Sequence, residues 1–271
     1  PPPSVLAPVD LTDPTQVAAV MMIAARIGEI LIANGTTSSD AIAQIRTVTS
    51  SYGLHYCHVD ITVNTITMNA VIGGEDRTPV TVFRVVTMMS ENYHKLQEAD
   101  RLIRSIRAGA TRPELAEKIL DDIDRSPIPW RNTRFLAGYT VMGAAVAILL
   151  GGDWLMAVVG GITAFLIMGF NKVLSRNDLP YFFHCVLGGF VATIPAALFY
   201  DFSASIGHTI VPSQVIASGI VVLLAGLTLV QSLLDGITGS PVTASARFFN
   251  TLLNTGGIIA GVAMGLFVSS L

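Results

Sequence analysis

From residue 135 onwards the chain offers five apolar stretches, near 135–151, 154–173, 180–200, 213–233 and 248–270, separated by short or polar breaks. Each has about the 17 to 25 residues that a helix needs to cross roughly 30 Å of hydrocarbon. The core of a soluble domain has no use for five such runs. Charge follows the same division: only Asp153, Lys172, Arg176, Asp178, Asp201, Asp235 and Arg247 lie beyond residue 134. Charged residues make up 13% of the chain, against roughly 25% in an average soluble domain. The fold class expected is an α+β cytoplasmic domain followed by a polytopic α-helical membrane domain of five transmembrane helices. The expected boundaries are a Pro-rich linker over 1–12, the α+β domain over 13–130 and the membrane domain over 131–271.

The front region alternates helical and strand periodicities. Asp13-Pro14-Thr15-Gln16 is a helix-start signature, and Val17, Val20, Met21, Ala24, Ile27, Gly28 and Leu31 follow at spacings of three and four. That helix stops near Asn34-Gly35, and a second, capped at Thr37/Ser38, buries Ala41, Ile42, Ile45 and Val48. "LHYCHVDITV", "NTITMNAVI" and "PVTVFRVV" read as strands, with turn chemistry at Gly73-Gly74-Glu75-Asp76. Two further helices follow, one on Leu96, Ala99, Leu102, Ile103 and Ile106, the other opened by Thr111-Arg112-Pro113-Glu114 as a capping box.

Catalytic chemistry is hard to find in this region. On a strand, His55 and Cys57 of "HYCH" share a face and His58 points away, too few ligands for a metal. Asp121, Asp122 and Asp124 read as a polar helix end, and the hydroxyls of "GTTSSD" at 35–40 read as helix capping. No nucleophile elbow, phosphate-binding loop or zinc-protease pattern occurs, so no enzyme is expected, and no cofactor or metal. A net charge of −3 without basic runs interleaved with aromatics excludes nucleic acid as a partner. Cys57 and Cys185 fall one in each region, which gives no disulfide framework. The opening "PPPSVLAPVDLTDP" has no signal-peptide pattern, and both ends read as cuts from a longer polypeptide.

Lys and Arg near the spans set the orientation. Arg125, Arg131 and Arg134 precede the first span, Lys172 and Arg176 separate the second from the third, and Arg247 separates the fourth from the fifth. The positive-inside rule then places the front domain in the cytoplasm and Leu271 outside. Gly257, Gly261 and Gly265, and Gly143, Ala147 and Gly151, form small-residue ridges for close helix packing. Pro195 is expected to kink the third span, and His184 lies near its start, where a histidine can exchange protons.

The fourth span carries the most information. Gln214, Ser218, Ala225, Thr228, Ser232 and Asp235 repeat at about 3.5 residues, interrupted only by Val221, and so put polar and small groups on one helix face. Polar groups in hydrocarbon need partners or water, so this face points into the protein. Two readings stay open: it lines a substrate path, or it hydrogen-bonds a neighbouring helix. The face runs into "LVQSLLDGITGSPVTASARFF" over 229–249, where Asp235 and Arg247 bracket uncharged small residues. Gly236, Gly239 and Pro241 are expected to break the helix there.

The strings "ARIGEILIANGTTSSDAIAQIRTVTSSYGL", "HVDITVNTITM", "EADRLIRSIRAGATRPELAEKIL" and "ASGIVVLLAGLTLVQSLLDGITGSPVTASARFF" closely resemble the threonine/serine exporter family, and the likeness runs along the whole chain. The resemblance implies a secondary transporter in the cell membrane that exports threonine and serine on the proton gradient, with dicarboxylates exported by two-subunit relatives. It also implies a second hydrophobic half, fused or as a separate chain, which these residues do not include; a homo-oligomer is a further possible assembly. A regulatory or sensor subunit is the alternative, and a membrane-anchored hydrolase ranks last.

The resemblance carries no binding residues, so the site rests on local physics. A threonine zwitterion needs donors for its carboxylate, acceptors for its ammonium and a polar contact for its hydroxyl; broken membrane helices supply the first two. The substrate path expected is Gln214, Ser218, Thr228, Ser232, Asp235, Ser240, Pro241, Thr243, Ser245 and Arg247. The segment would re-enter from the cytoplasmic side or lie as a solvated loop. Asp235 would meet the ammonium or exchange a proton, a role shared with His184, and Arg247 would hold the carboxylate or the headgroup boundary.

Overall fold

A computed structural model describes residues 9–72, 78–86, 92–126, 132–174, 179–206, 211–224 and 226–269. The expected turn at Gly73 to Asp76, Arg131, Arg176, Ala225 and residues 1–8 of the linker lie outside them. By internal contacts the chain divides into two compact units, Pro1–Pro129 with Leu227–Phe248, and Trp130–Gly226 with Phe249–Leu271. The segment 227–248, placed by the sequence reading in the membrane region, is thus packed with the front of the chain.

The first unit opens with helices α1 (Pro14–Ala33) and α2 (Ser38–Ser51), continues through strands β1 (Cys57–Thr62), β2 (Thr65–Ile72) and β3 (Thr78–Val85), and then helices α3 (Tyr93–Arg107) and α4 (Pro113–Arg125). The strands form an antiparallel meander in the order β1-β2-β3. Its register aligns Val59 with Met68 and Met68 with Val82, so one face presents an apolar row, joined by Ile61, Ile66 and Ala70, to a core built with all four helices. Gly28 lets α1 approach: a Cβ there would lie 3.2 Å from Ile66 Cδ1 and as close as 2.5 Å to the flexible tip of Ile45. Ion pairs tie α1 outward, from Glu29 to Arg84 and from Arg26 to Asp121 at 2.8 Å and Asp124 at 2.6 Å. The acidic end of α4 therefore has a protein cation as its partner.

Helix starts differ in detail from the expectation. Asp13 accepts from the Thr15 N–H at 2.9 Å, but Gln16 reaches further out, to the Asp10 N–H at 2.9 Å. Arg112 occupies the N-cap of α4 without a side-chain cap, because Thr111 is buried and its hydroxyl bonds Ser105 at 2.6 Å. Asn92, not foreseen, caps α3 through the N–H groups of His94 and Lys95.

The second unit contains helices α5 (Asn132–Leu149), α6 (Trp154–Leu174), α7 (Tyr181–Ile206) and α8 (Pro212–Ile220), with a 3₁₀ turn at Val221–Leu223. Helix α9 (Gly226–Ile237) and helix α10 (Pro241–Ser269) follow, and α10 is shared between the units at Phe248 and Phe249. Among the described residues four helices are long and apolar enough to cross a membrane, namely α1, α6, α7 and α10, or five if the interrupted pair α8 and α9 counts as one. The set differs from the one expected. α1 qualifies by length and composition, although its buried residues belong to the first unit's core. The apolar part of α5, Leu136–Leu149, falls short of the length required.

Glycine ridges explain how the second unit closes. A Cβ at Gly143 would meet Gly160 O at 2.7 Å and Ala164 Cβ at 2.6 Å, so α5 and α6 touch backbone to backbone. Gly257, Gly261 and Gly265 pack against Phe182, Val186 and Thr193 of α7, as a small-residue ridge should. Gly151 does not belong to its ridge: at φ +87° it ends α5, and no atom lies within 4 Å of where a Cβ would stand. α7 runs unbroken through Pro195.

Candidate functional site

The polar stripe of the fourth span does not lie on one helix. The chain leaves helical geometry at Leu224, with φ −70° and ψ 122°, so Gln214 and Ser218 sit on α8 while Thr228, Ser232 and Asp235 sit on α9. Gln214 donates to Leu150 O at 3.2 Å. Ser218 is fully buried, donates to Val215 O at 2.8 Å and packs where α6 passes at Gly160. Gln214 thus bonds the chain just past α5, while the Ser218 hydrogen bond stays within α8. His184 is buried in the second unit, with its ring stacked on Tyr181 at 6.1 Å.

The interval 229–249 is two helices joined by a three-residue turn. α9 ends in a Schellman arrangement: the Ser240 N–H bonds Asp235 O at 2.8 Å and Gly239 takes φ +95°, the left-handed geometry that glycine accepts without strain. Pro241 then opens α10, seven residues before the expected start, its fixed φ suited to a first turn. Pro241, Thr243, Ser245 and Arg247 therefore stand on helix rather than in a loop. Ser245 is exposed and bonds back to Pro241 O at 2.8 Å, while Ser240 is half-buried and Thr228 likewise.

Both helices are inside out by the standards of a soluble protein. α9 buries Gln231, Ser232 and Asp235 and exposes Val230, Leu233 and Ile237. α10 buries Thr243, Arg247 and Thr251 at a spacing of four and exposes Val242, Phe248 and Phe249. Such a distribution suits helices whose outer faces meet lipid and whose inner faces find protein partners.

The partners come from the first unit. Asp235 is wholly buried, and its Oδ1 accepts the Ser38 N–H at 2.9 Å, at the first turn of α2, where unpaired N–H groups and the helix dipole favour an anion. Its Oδ2 lies 3.0 Å from Arg247 Nη1, an ionic contact rather than a directed hydrogen bond. Gln231 Nε2 donates to Gly35 O. Gly35 has φ +91°, and a Cβ there would sit 2.9 Å from that same Nε2. Thr243 Oγ1 accepts the Val63 N–H at 3.0 Å. Val63, in the β1–β2 turn, is the one non-glycine residue at positive φ among those described, +59°, a costly geometry for a β-branched side chain.

Asp235 and Arg247, assigned separately to substrate from the sequence, are thus each other's partner. Gln231, four residues before Asp235 on the same face, was missed; its spacing to Asp235 was the available signal, as was that of Thr251 to Arg247. Ser232 turns back to Leu229 O at 2.7 Å.

"HYCH" is also rearranged. β1 begins only at Cys57, so strand alternation does not reach His55. His55, Tyr56, Cys57 and His58 together line a pocket of about 430 Å³ with Arg46, Thr47, Thr49 and Ser50 of α2. Among the described residues no group of His, Cys, Asp and Glu could hold a metal ion. Burial pushes the Cys57 thiol pKa up, opposed by the nearby Arg46 guanidinium, and a raised pKa disfavours the thiolate that ligates metals.

Several apolar helices joined to a helix-and-sheet unit, with polar groups turned inward on lipid-compatible helices, define a multi-pass membrane protein. The chain belongs to the putative threonine/serine exporter family, whose model matches residues 22–269. It is 59% identical over all 271 residues to the threonine/serine exporter of Corynebacterium glutamicum, covering 55% of that protein. It is 35% identical over 247 residues, 91% of the chain, to the probable threonine/serine exporter of Mycobacterium tuberculosis, covering 46% of it. The chain thus spans about half the length of these relatives, both named as exporters and neither as an enzyme. No solved structure matches it.

Proposed function

We propose that this chain forms the first part of a secondary transporter that exports threonine and serine from the cytoplasm, driven by the proton gradient. Family membership and the relatives' names support export. The observation that carries the site is the buried Asp235–Arg247 pair, held on the first turn of α2. Two buried charges gain little net stability from pairing, because desolvation offsets most of their attraction. Keeping them on helices that otherwise expose apolar residues favours a working role. Asp235 is the group that takes up the proton or the substrate ammonium, and Arg247 is the cation that it releases for the substrate carboxylate.

The contacts of Asp235 with Ser38 and Arg247 would have to open for either group to meet the substrate. Thr243, Ser240 and Gln231 hold the α9–α10 elbow, and Gln214, Ser218, Thr228, Ser232, Pro241 and Ser245 remain substrate-path residues of the proposal. His184 is a second proton-exchange group of the proposal. The front unit lies in the cytoplasm by the distribution of Lys and Arg, the protein sits in the cell membrane, and a second hydrophobic half completes the path.

The test uses the whole transporter in proteoliposomes. Threonine efflux should follow an imposed proton gradient and fall about tenfold or more with Asp235→Asn. Efflux at the unmodified rate in that variant, at equal protein incorporation, sinks the site; efflux indifferent to the gradient sinks the proton coupling.

A further inference from the structure

The pocket between α2 and the start of β1 belongs to none of the roles above. Its volume, about 430 Å³, lies in the range of small-molecule sites. Its lining holds the Arg46 guanidinium with His55 and His58, bordered by hydroxyls and the Cys57 thiol, and no carboxylate is among the lining residues. Arg46 on α2 and Cys57 on β1 line the same space. Thr47 donates to Ala43 O at 2.8 Å, Thr49 to Arg46 O at 3.1 Å and Ser50 to Thr47 O at 3.0 Å. The hydroxyl protons of α2 are therefore spent within that helix, which leaves Arg46, the Tyr56 hydroxyl and the two imidazoles as the side-chain donors that line the pocket. Among the described residues Arg46 forms no ion pair with a carboxylate.

We propose that this pocket binds a small oxyanion, a carboxylate or a phosphate, and so gives the first unit an effector site separate from Asp235. Arg46 supplies the planar fork that matches two oxygens of such a group, and His55 and His58 add ring N–H donors from the other wall. The site needs no transport activity to be detected, so its failure and that of the export reading are separable.

The experiment is calorimetric titration of the full chain in lipid nanodiscs with succinate and, separately, inorganic phosphate. Saturable binding of either is expected, and which one binds identifies the source of the oxyanion. Arg46→Ala should weaken it about tenfold or more, the loss of a charge-assisted contact, and Arg46→Lys by less. Arg46 is exposed, so the melting temperature should not move; should it fall, His58→Gln carries the same test. No saturable binding of either anion, or binding that Arg46→Ala and His58→Gln both leave unchanged, overturns the proposal.

Discussion

Gly35 shows how tightly single residues constrain the elbow site. Its φ of +91° and the 2.9 Å clearance to Gln231 mean that Gly35→Ala adds backbone strain and pushes on the amide that bonds its own carbonyl. A loss of about 1–2 kcal/mol is expected, read as a lower melting temperature, while Gly138→Ala, where no atom lies within 4 Å, should be neutral. Tyr52 makes a second residue-scale case. Its hydroxyl donates to Thr111 O at 3.1 Å, and burial pushes its pKa up to about 12. Since the folded pKa exceeds the unfolded value of about 10, this contribution is complete below pH 10 and is lost as pH rises towards 12. Tyr52→Phe should cost about 1 kcal/mol and remove that alkaline loss, which denaturant titrations at neutral and alkaline pH would show.

Among elements, α7 and α10 are joined by glycine. Gly261 packs directly on Val186 and Phe190, so Gly261→Leu should separate the helices and reduce the folded yield in membranes, whereas Gly256→Leu, in open space, should not. This ridge was legible in the sequence because a spacing of four is all that such a contact requires. The α9–α10 turn was legible only in part. Gly239 and Pro241 marked a break, but Pro241 also opens a helix, and nothing local distinguishes the two uses. The interruption at Leu224 left little signal: "VVLLAG" is apolar and small, and Gly226, which opens α9, is the one weak helix former beside the break. For the same reason the stripe from Gln214 to Asp235, continuous in the sequence, is two faces on two helices.

At the scale of the molecule, composition set a charge-rich front apart from the charge-poor residues beyond 134 but could not say which unit the segment 227–248 would join. That depended on pairings between residues nearly two hundred positions apart, such as Ser38 with Asp235, for which a single sequence carries no pattern. Asp235 and Arg247 were picked out because charge is scarce beyond residue 134; that they pair was not, since each was assigned to the substrate. The pair supplies the most direct test of the account, as threonine efflux and melting temperature measured together for Asp235→Asn, Arg247→Gln and the double variant. Each single variant strands a buried charge or its partner and should lose about 3–5 kcal/mol. The double variant should regain much of that stability yet not export. A double variant that exports at the unmodified rate would contradict it, and would reduce Asp235 and Arg247 to a structural tie.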